Sequence, residues 1–175
     1  MAAFEKEDAI KTLEIVNSWT SNCDTKVEIT LGGFAILSGF LLSSDFVQKF
    51  LGIVQRALAV PVSVCNIVYV MLLFASIVVA LIGVYNLVMV LFPTIVKADS
   101  IMFFASVARF NGLEEYLTKA KETKEDELMD DILTQIYHAS CICSKKFERQ
   151  KKGLRLLLIG TMAFVIVFLI GVFIY

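Results

Sequence analysis

From Val62 to Phe92 the chain carries no charged side chain, and Pro61 and Pro93 stand directly before and after this run. Proline suits both the start and the stop of a helix. At ~1.5 Å per residue a helix of this length measures about 46 Å, against ~30 Å of bilayer hydrocarbon. The run therefore predicts a membrane-spanning helix that tilts or projects beyond the hydrocarbon.

Two further apolar blocks are candidates for membrane spans, and the chain as a whole is 58% hydrophobic. Soluble domains carry roughly 45–50% apolar residues. The block Leu154–Tyr175 has the length of a span, whereas Ile29–Ser44 is short of the ~20 residues required. Extending the short block to Val27–Val47 restores the length but admits charged ends, so it is predicted either to span or to be re-entrant. Between it and the long run, the segment Phe46–Val60 is typical of an amphipathic helix at the membrane face.

The polar parts of the chain also favour helices. Phe4–Trp19 has near-helical apolar spacing, which predicts a helix that either packs on a cytoplasmic module or lies on the bilayer. Asn111-Gly112 indicates a break after an aromatic-rich piece. Thr123 with Asp126 resembles a capping box, and no stop signal follows before Gly153. A helix is therefore predicted to begin near Thr123 and to run directly into the last apolar block.

Charge distribution predicts the orientation. Of the 16 Lys and Arg residues, 14 lie before the first block or in the segment from Lys97 to Arg155, and only Lys49 and Arg56 lie in the opposite loop. Cytoplasmic loops carry the excess of Lys and Arg. The N-terminus and the large polar segment are thus predicted to be cytoplasmic, with Tyr175 on the far side.

Together these features predict an all-α integral membrane protein with about three transmembrane helices and a helical cytoplasmic module between spans two and three. The predicted domains are residues 1–26, an amphipathic cytoplasmic helix; 27–96, the first two spans with the interfacial segment; 97–153, the cytoplasmic module; and 154–175, the third span.

Small and polar residues form a stripe on each of the first two spans, and small residues let helices approach closely in lipid. These stripes indicate either packing within the chain or the face of an oligomer that lines a polar path. The positions that define the predicted face are Glu28, Gly32, Ala35, Gly39, Asn66, Ser76 and Gly83.

The cytoplasmic module contains a possible site for an anionic, aromatic ligand. Arg109, Lys145 and Arg149 carry charge that suits a phosphate. Phe103, Phe104 and Tyr137 could stack on a base whose edge Gln135 reads. The alternatives are basic residues that face lipid headgroups and aromatic residues that pack in a core.

Several classes of function find no support in the sequence. It contains no P-loop, nucleophile elbow or H-E-x-x-H motif, so no catalytic residue is predicted. His138 and Cys141 offer two metal ligands where zinc needs three or four, so no metal is predicted. No cofactor and no nucleic-acid partner are predicted either.

Four short pieces occur in an order that resembles the transmembrane effectors of bacterial Pycsar antiphage defence. The pieces are Asp24-Thr25-Lys26, Ser100-Ile101 with Phe103-Phe104, Gln135-Ile136-Tyr137 and Ser144-Lys145-Lys146. The resemblance runs from about Thr20 to Tyr175. It implies a multi-pass protein of the bacterial inner membrane that responds to a cyclic pyrimidine mononucleotide, cCMP or cUMP, made by a partner cyclase. It also implies that a homo-oligomer impairs the membrane and arrests the infected cell.

Two other functions remain open at the level of sequence. The first is a small membrane scaffold or anchor for a partner protein. The second is a constitutive channel or transporter, although the internal repeats and broken helices that transporters usually show are not evident.

Overall fold

The computed structural model describes residues 5–59, 63–92 and 100–174, and within these ranges every regular element is a helix. This confirms the predicted all-α class. Tyr175 and the two bracketing prolines, Pro61 and Pro93, lie outside the described residues. The helices are α1 (Lys6–Leu41), α2 (Ser44–Ala57), α3 (Val64–Leu91), α4 (Phe104–Val107), α5 (Leu113–Glu122) and α6 (Glu125–Ile174).

Helix α1 joins two segments, one polar and one apolar, that the residue pattern predicts to be separate. The amphipathic segment predicted to end at Trp19 continues into the first apolar block as one helix of 36 residues, so the predicted end was wrong; Phe4 lies outside the described residues. The polar stretch between them contains no glycine or proline. The hydroxyls of Thr20 and Thr30 donate to carbonyls one turn earlier, at 3.0 and 2.8 Å, so these polar side chains are satisfied without leaving the helix.

Helix α2 follows a sharp break at residues 42–43. Ser43 has extended backbone, with φ −61° and ψ 147°, and the axes of α1 and α2 differ by 69°. The segment predicted to be an amphipathic helix does form a helix, and it is packed on the side of Ile53 and Ala57, which are buried. The Phe46 ring lies 4.8 Å from that of Phe168, measured between centroids.

Helix α3 forms from the long uncharged run and buries one narrow side. Its first turn is capped by Ser63, whose hydroxyl accepts a hydrogen bond from the Cys65 amide at 3.3 Å. The buried residues repeat at intervals of three and four, the spacing of a helix–helix seam. They are Leu73, Ser76, Ala80, Gly83, Leu87 and Val90.

The partner of this seam is α6, and the contact is made by glycines. A Cβ atom added to Gly160 would lie 2.7 Å from the Cα of Ala80, and one added to Gly83 would lie 2.8 Å from the Cα of Leu157. Gly153 likewise faces Leu87 and the carbonyl of Gly83. The two helices therefore touch backbone to backbone, an arrangement that small residues permit in lipid.

Helix α6 confirms the predicted continuation, since its 50 residues run from Glu125 to Ile174 without interruption. At ~1.5 Å per residue it is about 75 Å long. The predicted capping box was wrong. The Thr123 hydroxyl donates to the Lys119 carbonyl at 2.8 Å and so closes the end of α5, while the Leu128 amide bonds to the Lys124 carbonyl.

Two helices, α3 and α6, are long and apolar enough to cross a membrane. The α1–α2 pair meets the same test only if the bent pair counts as one span. The described residues therefore hold two to three candidate spans, where the sequence predicts about three.

The chain divides into two compact units. One comprises Met1–Cys23 and Pro93–Phe147, and the other comprises Asp24–Phe92 and Glu148–Tyr175. Helices α1 and α6 contribute residues to both. In the first unit α1 buries Ala9, Val16 and Cys23, which are spaced by two helical turns.

Candidate functional site

A hydrogen-bonded cluster in the first unit ties the segment before α4 to α6. The Ser100 hydroxyl donates to the Asp131 carboxylate at 2.9 Å and accepts from the side-chain amide of Gln135 at 3.0 Å. Asp131 and Gln135 are one turn apart on α6, so they present both groups on one face. We call Ser100, Asp131 and Gln135 the Ser100 clasp.

The clasp also orders the backbone that follows Ser100. The Ile101 amide donates to the Asp131 carboxylate at 3.1 Å. The amides of Met102 and Phe103 donate to the Ser100 hydroxyl at 3.1 and 2.9 Å. Hydrogen bonds to a charged group each contribute about 1.5–3 kcal/mol. The start of the α4 segment is therefore fixed to α6 rather than loosely connected to it.

A cleft of about 330 Å³ opens beside the clasp. This volume is at the lower end of the ~300–1,000 Å³ range of small-molecule sites. Two cations, Arg109 and Lys119, and one carboxylate, Glu115, lie on its walls. The lining residues are Ser100, Ile101, Ser106, Arg109, Phe110, Glu115 and Lys119.

The turn between α4 and α5 sets the position of the charged walls. Gly112 has φ 155°, a conformation that a side chain disfavours, and it lets α5 begin at the next residue. The Glu115 carboxylate accepts a hydrogen bond from the Asn111 amide at 2.8 Å. This carboxylate is thus held in place. It gives the cleft one negative charge beside the two positive charges of Arg109 and Lys119.

The structure places the predicted ligand residues in different surroundings. Arg109 lines the cleft, and Gln135 stands one hydrogen bond away from it as part of the clasp. The rings of Phe103 and Phe104 lie against each other at 4.8 Å, outside the lining. Tyr137 is exposed, with its ring at 5.6 Å from that of His138.

The two remaining cations lie further along α6. Lys145 is exposed and about 15 Å beyond Gln135 along the helix axis at ~1.5 Å per residue. Arg149 belongs to the second unit, where its guanidinium donates to the Met89 carbonyl at 3.4 Å. Neither residue lines the cleft. Of the predicted ligand residues, the structure therefore brings together Arg109 and Gln135.

Sequence reasoning missed Lys119, Ser106 and the clasp carboxylate Asp131. Asp131 and Gln135 have the one-turn spacing of helix neighbours, but nothing local points to Ser100, more than 30 residues earlier. Lys119 sits in a solvated charge run like its neighbours. Only the fold distinguishes it from them.

The two predicted small-residue faces differ in burial: the face on α3 is packed within the chain, and the face on α1 is not. On α3, Ser76 and Gly83 are buried against α6, with the Ser76 hydroxyl bonded to the Leu73 carbonyl at 2.7 Å, and Asn66 is half-buried. On α1, Gly32 and Gly39 have no atom within 4 Å of an added Cβ.

The rest of the α1 face is open in the same way. Glu28 and Ala35 are exposed, and the apolar neighbours Ile29 and Phe40 are 71% and 72% exposed. Packing within the chain therefore uses the α3 face and leaves the α1 face uncovered among the described residues.

In the part of the chain that the structure describes, no three His, Cys, Asp or Glu residues are grouped as a metal would require. The four cysteines are free thiols, with Cys23 and Cys143 buried.

Comparison with known proteins gives two findings. Residues 8–173 match the family described as PycTM, Pycsar effector protein domain. The chain is also 30% identical, over an alignment 192 positions long, to the Pycsar effector protein GmPycTM of Gulbenkiania mobilis, and the alignment covers 97% of this chain and 93% of that protein. No solved structure matches the chain.

Proposed function

Since the chain belongs to the Pycsar effector family of antiphage membrane proteins, we propose that a cyclic mononucleotide gates it and that it impairs the inner membrane as a homo-oligomer. The predicted signal is a cyclic pyrimidine mononucleotide, cCMP or cUMP. The action is mechanical rather than enzymatic: binding in the first unit changes the arrangement of the membrane-spanning helices.

The observation that carries this proposal is the link between the cleft and α6. Ser100 lines the cleft, and the Ser100 clasp bonds it to Asp131 and Gln135 on α6. The same helix continues without a break into the last apolar block. A ligand that moves the Ser100 segment therefore acts on a helix that is long enough to cross the membrane.

The charges of the cleft suit a singly charged phosphodiester. The Arg109 guanidinium offers a planar fork of donors and the Lys119 ammonium a point charge, both of which favour phosphate oxygens. Glu115 on the same wall repels additional negative charge. A cyclic mononucleotide carries one negative charge, so it meets less repulsion than a nucleoside monophosphate or triphosphate. Phe110 supplies an apolar surface beside the base.

Gating requires that the ligand bind one of two conformations of the protein more tightly, because equal affinity for both does not shift the equilibrium between them. The preferred arrangement is the one in which the cleft closes on the phosphate and draws the Ser100 segment with it. The clasp converts this displacement into a force on α6.

The homo-oligomer forms through the uncovered α1 face. Gly32, Ala35 and Gly39 allow a second helix to approach closely, and association in lipid depends on such packing. The exposed apolar side chains on the same stretch of α1 support contact with lipid or with another protomer. The α3 face is already occupied by α6 and contributes to the fold of each protomer.

The orientation follows from the distribution of Lys and Arg. Single cysteines placed at the exposed positions Ala108, beside Ser106, and Thr118 of a cysteine-free variant should react with a membrane-impermeant maleimide only after the inner membrane is opened. A cysteine at Tyr175 should react in intact spheroplasts. Labelling of position 175 only after lysis would contradict the proposed three-span arrangement.

Charge removal in the cleft tests the proposed ligand. In full-length protein held in nanodiscs, Arg109→Gln and Lys119→Gln should each weaken binding of cCMP or cUMP by about tenfold or more, since a hydrogen bond to a charged group contributes roughly 1.5–3 kcal/mol. Titration calorimetry measures the change. Lys121→Gln is the matched control, because it removes the same charge from α5 but does not line the cleft.

Three results would count against the proposal. Equal loss in the Lys121 variant would mean that general charge, not the cleft, attracts the ligand. Unchanged affinity in both cleft variants would place the nucleotide elsewhere. Wild-type protein that binds no cyclic nucleotide would remove gating by this class of signal.

A further inference from the structure

A second cleft, of about 480 Å³, lies in the second unit on the polar side of α2. Lys49 and Arg56 are two helical turns apart and so share this side of the helix, about 10 Å from each other along its axis. Gly52 stands between them. The lining residues are Asp45, Gln48, Lys49, Gly52, Ile53, Arg56 and Val172.

The apolar side of α2, which adjoins the cleft at Ile53, fixes the level of this cleft along α6. Phe46 contacts Phe168, and a Cβ added to Gly171 would lie 2.9 Å from the Cγ2 atom of Ile53. Helix α2 therefore packs against the last turns of α6. After Arg155, α6 carries no further charge and extends about 29 Å to Ile174 at ~1.5 Å per residue, close to the ~30 Å of bilayer hydrocarbon. Its last turns, and α2 with them, thus lie at the level of the lipid headgroups.

The floor and walls of the cleft suit a phosphate group. An added Cβ at Gly52 would have no atom within 4 Å, so the backbone between the two cations is uncovered. Lys49 is exposed and forms no ion pair with any of the residues that the structure describes, even with Asp45 one turn before it. Its ammonium group is available to a phosphate oxygen.

The surface next to the cleft suits acyl chains. Val172 lines the cleft and is exposed, and the neighbouring Phe173 is 87% exposed. A phosphate bound at Lys49 thus has an apolar surface beside it at the same depth in the bilayer. Basic residues above such a surface are the usual elements of lipid headgroup recognition.

We propose that the cleft of Lys49, Gly52 and Arg56 binds a glycerophospholipid through its headgroup phosphate, with the acyl chains along the end of α6. The bound lipid fills the space between α2 and α6 and holds α2 at the membrane surface. This site is separate from the nucleotide cleft and does not depend on nucleotide gating.

Lipid retention tests the site. Full-length protein is purified in mild detergent, and native mass spectrometry counts the phospholipids that stay bound; added phosphatidylglycerol then gives the affinity. Wild type should retain one phospholipid per protomer. The double variant Lys49→Gln with Arg56→Gln should bind at least about tenfold more weakly, because two charge-assisted contacts are lost.

A steric variant and a charge control keep the outcome interpretable. Gly52→Leu fills the cleft without changing its charge, and should also lose the lipid because its added side chain has open space to occupy. Lys11→Gln removes an exposed charge elsewhere on the chain and should retain it. Undiminished retention in the double variant and in Gly52→Leu would overturn the proposal. Equal binding of glycerol phosphate, which has no acyl chains, would also overturn it in favour of a soluble phosphate.

Discussion

Replacing Gly160 with leucine is expected to separate α3 from α6 and to lower the unfolding temperature by about 6–12 °C. The added Cβ would lie 2.7 Å from the Cα of Ala80 and 2.9 Å from its Cβ, so the clash is with backbone that no rotamer change relieves. Overpacking of a tight contact costs about 3 kcal/mol at the upper end of its usual range. For a chain of 175 residues, each kcal/mol corresponds to ~2–4 °C. Thermal unfolding in detergent, followed by size-exclusion chromatography, measures the shift.

Gly39→Leu is the matched control for this substitution. It introduces the same side chain into a helix of the same unit, but no atom lies within 4 Å of its Cβ. Leucine also favours a helix over glycine by up to ~1 kcal/mol. The unfolding temperature should therefore hold or rise, while the proposed oligomer, which needs a small residue here, should be reduced to smaller species.

The pair of variants separates folding from assembly. If Gly160→Leu unfolds at the wild-type temperature, the backbone contact between α3 and α6 does not stabilise the protein. If Gly39→Leu keeps the wild-type mass by light scattering, the uncovered α1 face is not the interface between protomers.

Inserting two alanines between Phe147 and Glu148 is expected to abolish growth arrest while leaving nucleotide binding within about twofold of wild type. The insertion falls after the Ser100 clasp and before the bond from Arg149 to the Met89 carbonyl. Two residues rotate the following part of a helix by about 200°. The cleft stays intact, but the faces of α6 beyond the insertion point in a different direction, which interrupts the proposed gating through this helix. Calorimetry with the cyclic nucleotide and a growth assay in cells that make it give the two readouts.

Insertion of seven alanines at the same point is the control. Seven residues add about 700°, within ~20° of two full turns, so the direction of the helix faces is restored although the helix is longer. This variant should recover arrest at least in part. A two-residue variant that arrests growth as wild type does would show that α6 does not carry the signal as a rigid helix.

Much of the helical framework follows from local sequence. The continuity of α6 is predictable because no glycine or proline stands between Glu125 and Lys152. The break at Asn111-Gly112 is predictable because a glycine does stand there, and Gly112 adopts a positive φ. The continuity of α1 is not predictable in this way, because the change from polar to apolar residues near Val27 has the pattern of a boundary between two segments. A change of solvent along a helix does not end its backbone hydrogen bonds.

The cleft was less accessible to sequence reasoning. Arg109 was identified by its charge, but Lys119 and the clasp depend on residues about 10 and 30 positions apart in the chain that only the fold brings together. Lys145 and Arg149 have the right chemistry and lie on the wrong turns of α6 for this cleft. Charge and residue type define which ligand a segment can bind, whereas the helix register decides which of those residues face it.

The seam of α3 against α6 divides α3 into two sides that tolerate different substitutions. Outward positions such as Met71, Val78 and Tyr85 are exposed, so any apolar side chain that tolerates lipid serves there. At Ala80 and Gly83 the space available is that of a hydrogen atom or a methyl group, and a larger residue meets backbone. Across divergent relatives, hydrophobicity alone should therefore be preserved on one side of this helix and side-chain volume on the other. A substitution matrix built for lipid-facing residues would therefore misjudge Ala80 and Gly83.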